Sequence, residues 1–353
     1  MDRMVIELKI GGHMVGKNQP CFIIAEAGVN HNGDLNLAHQ LIDAALQAGA
    51  DAIKFQTFKA ENLAVHNAPK AAYQMETTRA SESQYEMLSR LELDAEAHRK
   101  LGAHCRDKHI LFLSTPFDEA SADLLETLDV PAYKTPSGEI TNLPYLSHIA
   151  RKGKPMIVST GMAFLGEVET AVMTIRSTGN AAIALLQCVS NYPANPADIN
   201  LRAMQTMEQA FNVPVGYSDH TLGIAVSLAS VALGACIVEK HFTLDRNMPG
   251  PDHQASAEPA ELASLVSGIR TVEASLGDGT KQPSASESDT AAAVRKSLIA
   301  ACDIPAGIKL TEMMIAVKRP GTGLPPALRD YLIGRETRAS ISAGTLLNLD
   351  MFL

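Results

Sequence analysis

Two stretches of the chain decide the fold: Gly216-Tyr217-Ser218-Asp219-His220 and Ile237-Val238-Glu239-Lys240-His241-Phe242. Each predicts a short buried β-strand that ends in polar residues. Because alternate residues of a strand point to the same side, Ser218 shares a face with His220, and Glu239 shares one with His241. Two imidazoles and a carboxylate at neighbouring strand ends suit either a divalent metal ion or acid/base chemistry. The alternative is a pair of histidines that only pack and form hydrogen bonds.

Upstream of these stretches, apolar segments of strand length alternate with segments of helical periodicity. The predicted strands begin near Cys21, Ala52, Ile110, Ala132, Met156, Ala182, Val213 and Ile237. Eight such strand–helix units favour a (β/α)8 barrel, the TIM-barrel fold, over an open doubly wound sheet. The first strand is not followed by the G-x-G-x-x-G pattern of dinucleotide-binding folds, which argues against that function.

The C-terminal ends of the predicted strands collect polar side chains, and a (β/α)8 barrel carries its active site at those ends. The residues are Glu26, Lys54, Gln56, Ser114, Thr115, Lys134, Ser137, Glu139, Gln187, Ser218, His220, Glu239 and His241. This concentration predicts a functional site at one mouth of the barrel.

Three other segments complete the predicted organisation. Residues 1–20 predict a strand or hairpin with Gly11-Gly12 as its turn, and residues 59–90 form a long polar excursion that either covers the site or runs over the surface. The barrel domain is expected over residues 1–280, a Ser-rich linker over 281–293, and a small, mostly β module over 294–353. A module of that size is expected to lean on the barrel or on a second subunit.

Composition excludes several function classes. The formal net charge of −9 argues against a nucleic-acid-binding surface, which needs a basic stripe. The N-terminus lacks the apolar segment of a signal peptide, and no apolar run approaches the ~20 residues of a membrane span. The five cysteines are scattered without metal-ligand spacing, which is typical of reduced thiols in a cytoplasmic protein.

The charged strand ends predict two kinds of chemistry. Lys54 and Lys134, with nearby hydroxyls, suit a bound phosphate, and either lysine could instead form a Schiff base. The three carboxylates Glu26, Glu139 and Glu239 could position a polyhydroxylated substrate or move protons, unless they only form salt bridges to the lysines. Two further candidates are Asp252, which follows the last strand, and Arg319, which lies in a rigid Pro- and Gly-rich loop of the small module.

The motifs together resemble the sialic acid (N-acetylneuraminate) synthase family, over nearly the whole chain. They are Ile24-Ala25-Glu26-Ala27-Gly28-Val29-Asn30-His31-Asn32-Gly33, Lys54-Phe55-Gln56-Thr57, Tyr133-Lys134, Ser137-Gly138-Glu139, Ser159-Thr160-Gly161-Met162, Ser218-Asp219-His220-Thr221, Glu239-Lys240-His241-Phe242-Thr243, Pro249-Gly250-Pro251-Asp252 and Lys318-Arg319-Pro320-Gly321. The resemblance implies a barrel joined to an antifreeze-like (SAF) domain. It implies an enzyme that condenses phosphoenolpyruvate with an N-acylmannosamine-type sugar and water, giving a nine-carbon 2-keto acid and phosphate.

The resemblance also assigns expected roles to individual residues. His220 and His241 would bind a divalent metal, Mn²⁺ first, with Mg²⁺ or Co²⁺ as alternatives. Phosphoenolpyruvate would be held by Lys54, Thr115, Lys134, Ser137 and Ser218. The metal and the sugar would be surrounded by Glu26, Gln56, Glu139, Glu239, Tyr192 and Asp252. The implied assembly is a domain-swapped homodimer, in which Arg319 reaches the sugar bound by the other subunit.

One departure from the family pattern leaves the sugar open. Ser190 stands where the sialic acid synthases carry an Asn two residues before the Tyr of the Tyr-Pro motif, and Asn191 follows it. The segment Pro136–Asn142 resembles the bacterial branch that includes legionaminic acid synthases. The acceptor is therefore either N-acetylmannosamine or 2,4-diacetamido-2,4,6-trideoxymannose. A Schiff-base aldolase and a non-catalytic protein that binds glycans or ice remain as alternatives.

Overall fold

A computed structural model describes residues 7–78 and 81–353 of the chain. The chain divides into two compact units, Met1–Gly277 (the barrel unit) and Asp278–Leu353 (the C-terminal unit). Of the predicted N-terminal lead-in, residues 1–6 lie outside the described residues.

The barrel unit alternates strands and helices as the sequence predicts. Its strands are β1 (Leu8–Ile10), β2 (His13–Val15), β3 (Phe22–Gly28), β4 (Ala52–Thr57), β5 (Leu111–Pro116), β6 (Tyr133–Thr135), β7 (Met156–Ser159), β8 (Ile183–Cys188), β9 (Val215–Asp219) and β10 (Ile237–His241). Its helices are α1 (Leu35–Ala48), α2 (Ala60–Leu63), α3 (Ala72–Thr77), α4 (Gln84–Leu91), α5 (Ala95–Lys108), α6 (Glu119–Thr127), α7 (Leu143–Ala150), α8 (Leu165–Ser177), α9 (Ala203–Phe211), α10 (Ala225–Ala232) and α11 (Pro259–Leu276).

Eight parallel strands form a single sheet that curls into a barrel. Their order is β5-β4-β3-β10-β9-β8-β7-β6, and the two outer strands of that order, β5 and β6, also contact each other. The predicted (β/α)8 fold is confirmed. The strands approach closely where β9 meets β10: a Cβ at Gly216 would lie 2.7 Å from Ile237 Cβ, so this position requires glycine.

The barrel interior changes from apolar to polar along each strand. Phe22, Ile24 and Ile237 belong to an apolar cluster at the N-terminal end of the barrel. The hairpin β1–β2, with the predicted turn at Gly11-Gly12, adds Ile10 and Val15 to the same cluster and closes this end. Because the period of a strand is two residues, the next inward positions at the other end are the polar ones.

The helices cover the outside of the sheet and begin at the capping residues that the sequence offers. Asp34 accepts a hydrogen bond from Asn36 N at 2.8 Å and starts α1, which ends at Gly49 with φ of 85°. Outward strand residues such as Ile53 pack with helix residues such as Leu41 in the main apolar core. No helix among the described residues is both long enough and apolar enough to cross a bilayer.

The excursion over residues 59–90 differs from the predicted loop, because it contains the three short helices α2, α3 and α4. The helix α4 begins at Ser83, whose hydroxyl accepts from Glu86 N while Glu86 accepts from Ser83 N. Its apolar residues Met87 and Leu91 pack with Val29 and Phe58 in a small cluster beside the barrel mouth. The mostly polar segment therefore contains a short amphipathic helix, α4.

The C-terminal unit is small and mostly irregular around one antiparallel pair. Its elements are α12 (Ser288–Val294), β11 (Ser297–Ala300), β12 (Ile315–Lys318) and α13 (Arg329–Leu332). Of the mostly β module that the sequence predicts, the later part forms single bridges rather than strands, such as Ile304 with Ile341 and Ile299 with Leu346. The unit has its own apolar core, which includes Leu298, Leu310 and Phe352. The segment predicted as a linker contains a 3-10 turn at Ala285–Glu287 and most of α12.

Candidate active site

The polar ends of the strands line a cavity of about 340 Å³ at the C-terminal mouth of the barrel. Of the candidate residues from the sequence, all except Ser114, Glu139, Gln187 and Arg319 line it: Glu26, Lys54, Gln56, Thr115, Lys134, Ser137, Ser190, Tyr192, Ser218, His220, Glu239, His241 and Asp252. They come from different strands and loops that the barrel brings to one place. The predicted concentration of polar side chains is therefore a single site.

Two lysines and two carboxylates form the buried centre of this cavity. Lys54 Nζ lies 2.8 Å from Glu26 Oε2 and 3.6 Å from Glu239 Oε2, and it donates to Thr115 Oγ1 at 2.9 Å. Lys134 Nζ lies 3.8 Å from the other Glu239 oxygen. All four charged side chains are buried, so each ion depends on its neighbours for the stabilisation that water would otherwise give.

Hydroxyl groups complete the coordination of these charges. Lys134 Nζ donates to Ser159 Oγ at 2.6 Å and to Thr135 O at 3.1 Å. Ser218 Oγ donates to Glu239 Oε1 at 3.1 Å. The outer oxygen of that carboxylate, Glu239 Oε2, has no hydrogen-bond donor. The centre therefore holds ammonium groups and hydroxyls within reach of an entering anion.

The pKa values of the two carboxyl groups are shifted in opposite directions. Burial raises the pKa of Glu26 to about 7, with Lys54 opposing the shift and Glu239 adding to it. Burial also acts to raise the pKa of Glu239, but Lys134 and Lys54 outweigh it, so this pKa lies below its usual value. Carboxyl groups with pKa values pushed apart are the pattern that separates a proton carrier from a fixed charge.

The pKa values of the two lysines are also shifted in opposite directions. Burial acts to lower the pKa of Lys54, but Glu239 and Glu26 outweigh it and raise the pKa. Burial lowers the pKa of Lys134, and Glu239 only partly compensates. Lys54 is therefore the firmly charged member of the pair.

Local backbone features aim Glu26 into the cavity. The ladder between β3 and β4 shifts register between Glu26 and Gly28, a bulge of the kind that re-aims side chains beside active sites. Gly28 has φ of 54°, and a Cβ there would lie 3.4 Å from Glu26 Oε1 and 3.6 Å from His241 Cε1. Gln56 Nε2 donates to Glu26 Oε1 at 3.4 Å. The contacts of a Cβ at Gly28 would be ordinary, so it is the positive φ, which L side chains rarely adopt, that explains the glycine.

The two histidines face each other beside this charged centre, with ring centroids 5.4 Å apart. His220 Nδ1 lies 2.6 Å from Val189 O, so this nitrogen carries the proton and Nε2 keeps its lone pair. His241 is buried, and its Nδ1 has no hydrogen-bond partner; the nearest carboxylate oxygen, Asp252 Oδ2, is 3.9 Å away. Tyr192 stacks near both rings, at 4.1 Å and 5.4 Å.

The surroundings shift the pKa values of the two histidines in opposite directions. Burial, with His220 and Lys54 adding to it, holds the pKa of His241 well below its usual value. Burial acts to lower the pKa of His220, but Cys188 outweighs it and raises the pKa. Burial raises the pKa of Asp252 to about 6.

The chemistry of the two rings fits a divalent cation. An imidazole with its lone pair free and a second with an unsatisfied buried nitrogen are the donors that transition metals prefer. Across residues 7–78 and 81–353, three or more His, Cys, Asp and Glu side chains do not cluster as a metal site.

Ser190, which departs from the family pattern, lies at the cavity. It lines the wall, whereas its neighbour Asn191 is exposed and does not. A Cβ at Gly161 would collide with Ser190 Oγ and would lie 2.8 Å from Ser137 Oγ, to which Gly161 N donates at 3.0 Å. Glycine at this position lets the two serines approach the same point of the wall.

One wall of the cavity is apolar, and the sequence reasoning missed it. The cavity is also lined by residues of one apolar cluster: Leu63 of α2, Met87, Leu88 and Leu91 of α4, and Phe117. The sequence signal was the spacing of Met87, Leu88 and Leu91, which is helical and lies directly after the Ser83–Glu86 capping pattern. Ser159 was also absent from the predicted set, although it occupies the inward strand position after Ile157.

Four candidates lie elsewhere. Ser114 Oγ lies 2.7 Å from Thr57 Oγ1, and Gln187 Nε2 donates to Ile199 O at 2.8 Å. Glu139 is half-buried outside the cavity lining, and its Oε2 accepts a hydrogen bond from Asn142 Nδ2 at 2.7 Å, at the start of α7. Arg319 belongs to the C-terminal unit, where it is exposed directly after β12.

Comparison with known proteins identifies the family. The NeuB family model matches residues 41–281, and the SAF domain model matches residues 295–353. The chain is 49% identical to the N,N'-diacetyllegionaminic acid synthase of Legionella pneumophila over 94% of each protein. It is 52% identical to the N,N'-diacetyllegionaminic acid synthase of Campylobacter jejuni, over 89% of this chain and 94% of that protein.

A solved structure agrees with these matches. The crystal structure of N-acetylneuraminic acid (sialic acid) synthetase from Leptospira borgpetersenii superposes with a TM-score of 0.72 at 39% identity, covering 82% of this chain and 96% of that one. The family resemblance stated from the motifs is confirmed. The chain belongs to the NeuB family, a family of synthases, and it carries a SAF domain at residues 295–353.

Proposed function

We propose that the protein is a nonulosonic (sialic-type) acid synthase that condenses phosphoenolpyruvate with an N-acylated amino sugar and water, releasing phosphate. The observation that carries the proposal is the buried Lys54–Glu26–Glu239–Lys134 centre next to a facing pair of histidines in one cavity. An anion site beside two imidazoles is what a phosphorylated enol and a carbonyl acceptor require. The names of the synthases to which the chain is similar support the same reaction.

The lysines and hydroxyls would hold phosphoenolpyruvate. Lys54 and Lys134 would contact its phosphate and carboxylate, with hydroxyls of Thr115, Ser137 and Ser218 as further donors. The negative charges of bound phosphoenolpyruvate would replace part of the attraction that the lysines now have to Glu26 and Glu239. Bound there, C3 of phosphoenolpyruvate would lie beside the space between Gln56, Tyr192 and the histidines, where the sugar aldehyde would sit.

Glu26 would carry the proton of the water that enters the reaction. C3 of phosphoenolpyruvate forms a bond to the aldehyde carbon, whose oxygen takes up the proton of Glu26. Water then adds to the cationic C2 and returns a proton to Glu26. The bond from C2 to the phosphate oxygen breaks as the new C2 hydroxyl becomes the ketone and gives its proton to the departing phosphate. A carboxyl group with a pKa of about 7 can accept and return a proton near neutral pH.

We further propose that His220 and His241 hold a divalent cation, with Mn²⁺ as the first candidate and Mg²⁺ or Co²⁺ as alternatives. When bound, such a cation supplies Lewis-acid polarisation of the open-chain sugar aldehyde. The unsatisfied nitrogen of His241 supports this assignment. Asp252 and Tyr192, which lie beside the rings, would orient the sugar hydroxyls.

Two observations favour 2,4-diacetamido-2,4,6-trideoxymannose over N-acetylmannosamine as the acceptor. The relatives at 49% and 52% identity are N,N'-diacetyllegionaminic acid synthases. The apolar wall formed by Leu63, Met87 and Leu88 suits a substrate with a C6 methyl group and a second acetamido methyl better than one with a C6 hydroxyl. N-acetylmannosamine remains the second candidate.

The assembly and location are proposals of the same kind. We propose a domain-swapped homodimer in which Arg319, exposed after β12, reaches the sugar in the partner's barrel. We place the protein in the cytoplasm, because all five cysteines are free thiols. Nucleic acid and membrane surfaces are not expected partners for a chain with a net charge of −9.

The experiment is phosphate release from phosphoenolpyruvate with Mn²⁺, measured with each sugar in turn. Release that depends on the sugar and is abolished by EDTA is expected, with the 2,4-diacetamido sugar preferred. Inactivation by borohydride in the presence of substrate, together with indifference to EDTA, would instead support a Schiff-base aldolase at Lys54 or Lys134. Absence of phosphate release with any sugar would favour a binding protein.

A further inference from the structure

A buried ion pair lies directly behind the site, on the opposite face of β9 and β10. Asp219 Oδ2 and Lys240 Nζ are 2.9 Å apart, and the two residues are 1% and 2% exposed. Asp219 stands between Ser218 and His220 in sequence, and Lys240 stands between Glu239 and His241. Neither residue lines the cavity, so neither touches the substrate space.

The carboxylate of Asp219 is saturated with hydrogen bonds. Its Oδ1 accepts from Thr221 N and Thr221 Oγ1, each at 2.8 Å, and from Tyr217 OH at 3.1 Å. Its Oδ2 accepts from Ser227 Oγ at 2.5 Å as well as from Lys240. Lys240 Nζ donates in addition to Thr221 O at 2.6 Å. The network ties β9, the turn after it, α10 and β10 together.

This network holds a segment that the sheet itself does not hold. The ladder between β9 and β10 ends at the pair Asp219 and Lys240, so His220 lies one residue beyond it. His241, by contrast, is still paired with β3. The residues on each side of His220 are Asp219 and Thr221, and both are bonded to Lys240. Lys240 therefore ties the backbone on both sides of His220 to β10, whereas the other backbone bond at this residue, from Ala194 N to His220 O at 2.8 Å, leads to the loop after β8.

A buried ion pair is weak evidence for a stabilising role, because desolvation of both ions offsets their attraction. A pair of apolar residues could fill the same space at similar stability. The pair lies one residue from each imidazole, and this placement favours a role in orienting the two rings. Groups behind metal-binding side chains orient them, and their loss typically weakens metal affinity by about 10- to 100-fold.

We propose that Asp219 and Lys240 are positioning residues that set the separation and orientation of His220 and His241, and thereby the affinity of the site for a divalent cation. The inference rests on the proposed role of the two histidines. It predicts a defect in metal binding that does not follow from loss of stability.

The test uses the full-length double variant Asp219→Asn/Lys240→Met, which removes both charges at nearly constant volume. Mn²⁺ dissociation constants are measured by calorimetry on metal-free protein without substrate, and the free energy of unfolding is measured in urea. The double variant is expected to bind Mn²⁺ about 10- to 100-fold more weakly. Saturating Mn²⁺ is expected to restore most of its turnover, because the cavity side chains are unchanged.

Thr57→Val serves as the matched control. Thr57 Oγ1 lies in a comparable buried network behind β4, 2.8 Å from His98 Nε2 and 2.7 Å from Ser114 Oγ, and it does not support either metal candidate. This variant is expected to lose stability and to keep the wild-type Mn²⁺ affinity. Ser227→Ala, a milder change that deletes one hydrogen bond to Asp219, is expected to weaken Mn²⁺ binding severalfold even if the double variant fails to fold.

The outcomes separate this inference from the proposed function. Wild-type affinity in the folded double variant, or in Ser227→Ala if the double variant does not fold, would overturn the positioning role alone. An equal loss of Mn²⁺ affinity in Thr57→Val would assign the effect to general stability and would also overturn it. Failure of the wild-type protein to bind Mn²⁺ would overturn the proposed metal site and this inference with it.

Discussion

At the scale of single residues, the site depends on how the barrel distributes charge between Glu26 and Glu239. Glu239 interacts with both lysines and with Ser218, which keeps its pKa low. Glu26 is held mainly by Lys54, and burial raises its pKa to about 7. The two carboxyl groups therefore divide the work: Glu239 is a fixed anion that balances the lysines, and Glu26 is available for proton transfer.

Glu26→Gln should reduce turnover by about 100- to 10,000-fold, the usual contribution of a positioned acid or base. The amide cannot exchange a proton, but it fills the same volume and leaves His220 and His241 untouched. Steady-state kinetics and metal analysis on the same preparation test the role. Turnover near the wild-type rate, or loss of bound metal, would remove Glu26 from the proton-transfer step.

Glu26→Gln should also flatten the pH dependence of stability. Folded Glu26 keeps its proton up to about pH 7, whereas an unfolded glutamate loses it near 4.5. The folded wild type therefore binds more protons between these values, and its free energy of unfolding falls as the pH rises through them. By pH 8 the wild type should therefore have lost roughly 3 kcal/mol of unfolding free energy that the variant keeps. Urea unfolding of metal-free protein at several pH values measures it, and parallel curves for the two proteins would contradict the raised pKa.

At the scale of elements, the barrel has a structural end and a functional end. The hairpin β1–β2 packs Ile10 and Val15 against Phe22 and Ile24 at the N-terminal end, far along the strands from the charged centre. Further along the same strands, toward the other end of the barrel, the inward-facing residues are polar. Stability and chemistry are thereby carried by different residues of the same strands.

Ile10→Ala should cost about 2–5 kcal/mol of unfolding free energy, because Ile10 is fully buried in this cluster. The KM for phosphoenolpyruvate should not change, since the cavity lies at the other end of the barrel. Urea unfolding and steady-state kinetics measure the two quantities. Lys9→Ala, an exposed neighbour on the same strand, is the control and should affect neither. A raised KM in Ile10→Ala would mean that the two ends are not independent.

The sequence predicted the elements well where a period was uninterrupted. The strand β9 begins two positions later than predicted, at Val215, but Ser218 and His220 both line the cavity, because residues two apart share a face wherever the strand begins. The helices α2 to α4 were missed because polar residues surround short apolar spacings. Glu26 and Thr115 come from β3 and β5, which flank the strand of Lys54, whereas Glu239 comes from β10, which lies nearby only because the last strand of the barrel pairs with the first. The distances among these side chains were not predictable from sequence order.

At the scale of the whole molecule, the proposed domain-swapped dimer would bring Arg319 of the C-terminal unit to the partner's barrel. Arg319→Ala should lower kcat/KM for the sugar while phosphoenolpyruvate binding stays near wild type. The Arg319→Ala and Glu26→Gln subunits can be unfolded, mixed and refolded together to form mixed dimers. These dimers should regain activity, since one of their two barrels would combine an intact Glu26 with the partner's intact Arg319. Absence of complementation in mixed dimers would contradict the domain-swapped arrangement.

Family identity and fold followed from motifs at strand ends, because a barrel places those ends together whatever the loops do. The same reasoning predicts a site role for Glu139 after β6, and this stays a prediction: its side chain accepts a hydrogen bond from Asn142 at the start of α7 and does not line the cavity. A polar neighbour in sequence can hold such a side chain, and sequence order alone does not decide which contact it makes.

The most direct measurement is the mass of the product formed from phosphoenolpyruvate and 2,4-diacetamido-2,4,6-trideoxymannose in the presence of Mn²⁺. The account predicts a phosphorus-free 2-keto acid whose mass equals both substrates plus water minus phosphoric acid, with one phosphate released per product. A product that retains phosphorus, or phosphate release without a coupled nine-carbon product, would contradict it.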